Sequence, residues 1–326
     1  MNSRNNFHFF KHPKLKRAAI YCIVVLFSAF CMVYGSMLYT LHGHAEQILS
    51  YKKEDIDEWI QKERVDFTSL DDRDYEFLLH QTGLGRDAVD KIVRVGILEE
   101  KSANQIDQKG KIESKNCKTI YEKLSKAQEK NFEIPKYVCE STSIFSSNER
   151  FKDEEGKLIS QYDLVDVRPG DVLVSMSTHT LGYRHGHCGI VINEDKILEA
   201  VYWGKPTKIC RVKRWESCPT LLQLRVSEET AEKMGLTRDE LGSLLADIAI
   251  FNGSDIRYSM FPNIFNYNCD TIKRTHCSHL VWYVFDKAGI DVDSDGGLIV
   301  TPWDIARSDT FEIVQIHGLD ADIINK

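Results

Sequence analysis

Apolar residues fall into one unbroken block near the start of the chain and into short periodic runs after it. Ala18 to Leu41 (AAIYCIVVLFSAFCMVYGSMLYTL) contains no charged residue. As a helix its length would be about 36 Å, against a hydrocarbon core of about 30 Å. The expectation is a single transmembrane helix over 18–41. A cleaved signal peptide is the alternative, with Gly43 and Ala45 as small residues at a cleavage site, but signal-peptide apolar cores run only ~7–15 residues. Residues 42–150 are polar and poor in strand patterning. Within them Tyr75, Leu78, Leu79, Val89, Ile92 and Val93 keep helical spacing, broken by Gly83 and Gly85, and Ile120, Leu124 and Ala127 form a second stripe. This part reads as a helical spacer or subdomain. Beyond Gln161 the texture changes to strands: Asp171–Ser175, His187–Ile192, Ile197–Val201, Ile209–Trp215 and Leu221–Val226. A helix opens at Thr237, with Glu240 completing a capping box, and a last one runs from about His276 to Ala288. Strands followed by helices predict an α+β unit with an antiparallel sheet over 151–326.

Composition narrows the classes of function. The 326 residues are enough for two units, and a net charge of −7 excludes a broad basic surface for nucleic acid. Arg4, Lys11, Lys14, Lys16 and Arg17 make a basic tail over 1–17 with no acid among them. By the positive-inside rule that tail stays cytoplasmic, so the expected location is the cell membrane, single-pass, with the catalytic part outside. Outside the cytoplasm disulfides are permitted. Seven cysteines follow the apolar block: Cys117, Cys139, Cys188, Cys210, Cys218, Cys269 and Cys277. An odd count leaves one thiol unpaired within a monomer. Cys117–Cys139 and Cys210–Cys218 are among the open pairings.

Cys277 is the sharpest chemical candidate. With Thr275 as N-cap, it lies in the first turn of a helix whose apolar face continues through Leu280, Val281, Val284, Phe285 and Ala288. The field of the helix terminus favours a thiolate there. His187 opens an apolar strand, HCGIVI, and Glu199 sits in the next one, ILEAV. A three-residue loop over Asn193–Asp195 pairs Ile192 with Lys196 and makes His187 and Glu199 diagonal neighbours on one face. A two-residue loop puts Glu199 on the other face. HGHC at His185–Cys188 lacks a second Cys/His pair at a zinc spacing. DVDSDG at Asp291–Gly296 begins like an EF-hand loop but has Pro302 at position twelve. No metal and no cofactor are expected. Arg257, Lys273 and Arg274 read as a solvated face or as a contact for an anionic substrate.

PGDVLVS at Pro169–Ser175, HCGIVI and HCSHLVW at His276–Trp282 resemble segments of the NlpC-type cell-wall peptidases. The Cys segment follows the His segment here, the order of the circularly permuted branch that holds YiiX-like and lecithin:retinol acyltransferase-like papain-fold proteins. TPWDIARS at Thr301–Ser308 is similar to a segment that follows the nucleophile helix in YiiX-like chains. The resemblance spans roughly Asp163 to Ser308 and implies a permuted papain-like fold. It also implies Cys277 as nucleophile, His187 as base and Glu199 as the group orienting the imidazole. Tyr258 stands where ordinary members carry a Tyr that helps hold the oxyanion. His276 replaces the family's Asp and His279 its Gly, so specificity does not carry over. The implied activity is that of a cysteine peptidase or amidase acting on a peptidoglycan stem peptide. A lipid-directed amidase, thioesterase or acyltransferase acting on an acyl lipid is the alternative, and a non-catalytic envelope-binding module is the reading from another class.

Overall fold

The computed structural model describes residues 21–28, 52–102, 118–133, 137–142, 146–180, 183–259, 271–297 and 299–324. Of the apolar block, residues 21–28 form a helical segment, α1, with exposed side chains. No helix among the described residues is long and apolar enough to cross a membrane. The single transmembrane helix expected over 18–41 is corrected on that finding. Residues 1–17 and the remainder of the block lie outside the described residues, as do Gly43, Ala45, Cys117 and Cys269.

Four helices come next: α2 (Ile56–Glu63), α3 (Asp72–Thr82), α4 (Arg86–Ser102) and α5 (Lys118–Phe132). Asp71 and Asp74 close a capping box on α3, leaving the apolar stripe to bury Ile56, Leu78, Val89, Ile120 and Leu124 in a core of their own. Gly83, at φ 72°, ends α3 in the left-handed region. The layer docks on the sheet through the two glycines that interrupt its helical pattern. The Gly85 N–H donates to the Val314 carbonyl at 2.7 Å and Ile316 N–H to that of Gly83 at 2.6 Å. A Cβ at Gly83 would lie 2.1 Å from the Ile316 oxygen, and one at Gly85 1.7 Å from that of Ile313. The stretch expected as helical up to residue 150 ends instead in two strands, β1 (Tyr137–Ser141) and β2 (Ser146–Phe151).

The remaining elements are β3 (Val172–Ser175), β4 (Thr178–Thr180), β5 (Tyr183–Arg184), β6 (His187–Asn193), β7 (Lys196–Glu199), β8 (Lys208–Arg211) and β9 (Leu221–Val226). Then come α6 (Glu228–Lys233), α7 (Arg238–Gly253), β10 (Arg257–Tyr258), β11 (Arg274–Thr275), α8 (Cys277–Lys287), α9 (Pro302–Ala306) and β12 (Phe311–His317). Six strands make one sheet in the order β12-β9-β3-β6-β7-β8, antiparallel at every junction. The fold is α+β with an antiparallel sheet, as the order of elements predicts. One face buries Val172, Val174, Cys188, Ile190 and Leu198 against Leu245, Leu280 and Val284 of α7 and α8. The alternate residues Leu173, Val191 and Ile197 pack on Tyr162 and Trp215. A second sheet, β1-β2-β4-β5, is joined in part by β2 pairing with β4. The predicted strand over Ile209–Trp215 stops at Arg211 and turns into a 3-10 helix, Val212–Ser217.

Candidate active site

β6 and β7 run antiparallel, so the first residue of one and the last of the other, His187 and Glu199, meet at one end of the sheet. The turn between them is a two-residue loop, because Asn193 pairs with Lys196. Alone, that loop sends Glu199 to the wrong face. A bulge between Val191 and Asn193 shifts the register by one, giving Val191 opposite Ile197 and Ile190 opposite Leu198. The extra residue undoes the inversion. The same-face placement expected of His187 and Glu199 is thus reached through a bulge instead of a longer loop. Gly189 lies between them, and a Cβ there would sit 3.0 Å from Glu199 Cγ and 2.9 Å from the Leu198 oxygen. Its missing side chain leaves the channel through which Glu199 reaches across.

His187 Nε2 and Glu199 Oε1 are 2.9 Å apart. The carboxylate is fully buried, which by itself favours its protonated form. The hydrogen bond and positive charge of His187, with the Arg214 guanidinium 3.5 Å from Oε2, hold it below the usual carboxylate range instead. Trp215 stacks on the imidazole with centroids 5.4 Å apart and planes 14° apart. The turn into the 3-10 helix at Val212 brings it there.

Cys277 is the first residue of α8, 5% exposed. The N-cap is His276, one residue beyond the predicted Thr275: its ring accepts from the His279 N–H, while the Thr275 hydroxyl donates to the His276 carbonyl at 3.0 Å. With Nε2 committed to Glu199, His187 has Nδ1 left for Cys277, and each of the two groups shifts the pKa of the other. Cys188 is the neighbour that sequence reasoning missed. It is the largest influence holding the Cys277 thiol well below its ordinary value. Burial opposes it, and His187 and His276 reinforce it. Burial pulls the His187 imidazole down, but Cys277 and Glu199 outweigh it and raise its pKa to about 9. Both shifts run in the direction of a thiolate–imidazolium pair. The Cys188 thiol is pushed well up, first by burial and then by the neighbouring Cys277, and stays protonated.

Tyr258 comes to the same place by another route. β10 pairs in parallel with β11, aligning Tyr258 with Thr275, two residues before Cys277. Burial first, then the negative charge at Cys277, raises its hydroxyl pKa, so it remains a donor. The structure thus brings together His187, Glu199, Cys277 and Tyr258. His279 is buried; desolvation, then the nearby His276, push its pKa down to about 3, and its ring stacks on Trp282. Ser278 donates to the Val300 carbonyl at 2.9 Å, tying α8 to the segment capped by Thr301 and Asp304.

Other sequence candidates have different partners. His185 bonds the Thr180 hydroxyl at 2.8 Å. Cys139, Cys210 and Cys218 are free thiols, which corrects the pairings considered for them. Asp293, Asp295 and Asp304 bring ligand atoms within 4.8 Å of one another, as do His80, Asp320 and Asp322. Asp304 is already committed to the Thr301 amide and hydroxyl.

The uncharacterized protein YycO of Bacillus subtilis (strain 168) is 35% identical to this chain over 133 residues, 40% of this chain and 49% of YycO. The chain thus spans about half the length of that relative. No family model matches it, and no solved structure does.

Proposed function

We propose that the chain is a cysteine hydrolase of the permuted NlpC-type lineage that cleaves an amide bond, with a peptidoglycan stem peptide as the first substrate to test. The supporting observation is the His187–Glu199 hydrogen bond at 2.9 Å beside a Cys277 thiol that His187 helps to hold well below its ordinary value. The thiolate attacks the acyl carbonyl. His187, charged at rest, gives its proton to the departing amine, and the neutral imidazole then takes a proton from the water that releases the acyl group. Glu199 holds the ring's tautomer and orientation. The Cys277 N–H, in a helix turn without intrahelical acceptors, and the Tyr258 hydroxyl are the donors assigned to the developing oxyanion. The choice of substrate rests on the NlpC resemblance.

Iodoacetamide labelling tests the reaction class. Labelling of Cys277 is expected to be fast at neutral pH and abolished by His187→Ala. A second reading, a non-catalytic envelope-binding module, draws on the depth of Cys277, 5% exposed; slow labelling that ignores His187→Ala supports it. Product analysis after incubation with purified sacculi or with acyl lipids separates peptide from lipid cleavage.

A further inference from the structure

The helical layer and the sheet do not close on each other everywhere. Next to the contact of Gly83 with Ile316 they leave a cleft of about 210 Å³, bounded by the end of α3, by α4 and α5, and by the outer strand β12. Leu84, Ile92, Ala127 and Val165 give it an apolar wall. Three strand spacings, about 14 Å, separate β12 from β6, and none of His187, Glu199, Tyr258 and Cys277 lines the cleft.

Two independent features of the lining call for a ligand. The first is His317, 3% exposed, whose ring stacks on Tyr162 with centroids 4.1 Å apart. Among the described residues its ring nitrogens make no hydrogen bond, an arrangement that costs stability in a buried polar group. Burial first, then the charge of Lys130, push its pKa down to about 3. The ring is thus neutral and keeps one N–H to donate. The second is α5. Lys123, Lys126 and Lys130 line the cleft at three- and four-residue spacing, while Ile120, Leu124 and Gln128 turn into the helical core. Lys130 is matched by Asp163 at 3.2 Å. Among the described residues Lys123 and Lys126 make no ion pair, in a chain whose net charge is −7.

We propose that this cleft is a binding site for a small carboxylate with an apolar body, which takes a hydrogen bond from the His317 ring and its counter-charge from Lys123 and Lys126. Cavities of about 150 Å³ hold benzene, so this one admits about eight to ten non-hydrogen atoms. That is the size of a medium-chain or aromatic acid, and too little for the chains of a diacyl lipid. Inorganic phosphate satisfies the lysines but leaves the apolar wall uncovered. The proposal does not depend on Cys277 being a nucleophile.

para-Fluorobenzoate and its neutral isostere para-fluorobenzamide, each titrated against the full chain and followed by fluorine NMR, test the assignment. The acid is expected to bind about tenfold more tightly than the amide, because hydrogen bonds to an ionised acceptor are about twice as strong as neutral ones. Lys123→Gln/Lys126→Gln should bring the acid close to the amide without changing the amide itself. His317→Phe should do the same, since the new ring keeps the contact with Tyr162 and removes only the donor. Ala127→Leu, which fills the cleft, should abolish binding of both. Equal affinities for acid and amide, or an acid preference that survives both the lysine and the histidine changes, overturn the carboxylate site. Binding that persists in Ala127→Leu places the ligand elsewhere and overturns it as well, as does the absence of saturable binding into the millimolar range. Displacement of the acid by an equal concentration of inorganic phosphate assigns an anion without a carbon body and overturns it too.

Discussion

At the scale of single residues, two sulfurs and one imidazole set the proton inventory of the site. Because Cys277 titrates well below its ordinary value and His187 only at about 9, the reactive pair persists across the whole interval between them. The acid limb of Cys277 alkylation should lie at lower pH than that of an unpaired thiol, whose pKa is about 8.5. On the proposed mechanism turnover should fall as pH climbs through about 9, where the imidazolium assigned to protonate the leaving amine is lost. The same shift has a sign for stability. A histidine raised in the folded state contributes stability fully below its unfolded pKa of about 6.5, and loses it as pH rises towards 9. Cys188→Ala removes the group with the largest hold on the Cys277 thiol, so the acid limb of the alkylation profile should move to higher pH. An unmoved limb would show that Cys188 is only a core residue. Glu199→Gln leaves the shape but takes away a charge that raises His187; the alkaline limb should move down and kcat/KM should drop by at least about tenfold.

At the scale of elements, the β6–β7 hairpin decides whether the three groups meet. Gly189→Ala inserts a methyl between Glu199 and a backbone oxygen that cannot retreat, at an overpacking cost of about 1–3 kcal/mol. It should reproduce the lowered alkaline limb of Glu199→Gln while the glutamate is still present; a pH–rate profile with the limb still near 9 would show that the glycine is not needed for that reach. This hairpin also separates what is legible in the sequence from what is not. HCGIVI and ILEAV announce strands by apolar content, and a His and a Glu buried in such runs stand out. The bulge does not, because nothing in INED distinguishes a tight turn with one extra residue from a longer loop. The α8 face and the Thr237 cap are equally plain, since helical period and capping chemistry are local. β1 and β2 are hidden because YVCES and SSNERF lack apolar alternation: β1 is exposed throughout and finds its stability in pairing. Cys188 reads as one more apolar strand residue, and Arg214 lies in a segment whose turn into a 3-10 helix depends on tertiary packing.

At the scale of the whole molecule, the sheet and the helical layer share one buried ionic junction. Arg225 on β9, its side chain 4% exposed, donates to both oxygens of Asp171 at 2.8 and 2.9 Å and to Asp87 of α4 at 3.1 Å. Arg238 reaches the same Asp87 at 3.1 Å. Removing the central cation strands the Asp171 carboxylate in a site from which water is excluded. Arg225→Leu is therefore expected to cost about 3–5 kcal/mol, measured by urea unfolding, while Asp87→Asn, whose side chain is 23% exposed, should cost far less. The glycine contact with β12 gives an independent handle on the same interface. Gly85→Ala drives a methyl into the Ile313 carbonyl, and the strand must move or the layer must lift. If the helices are integral to the fold, hydrogen exchange along β12 and β9 should speed up in this variant, with the apparent melting temperature falling. The alkaline limb near pH 9 should stay where it is, because β6 and β7 lie on the far side of β3. Loss of protection confined to the helices, with β12 unchanged, would identify them as a unit that merely leans on the sheet.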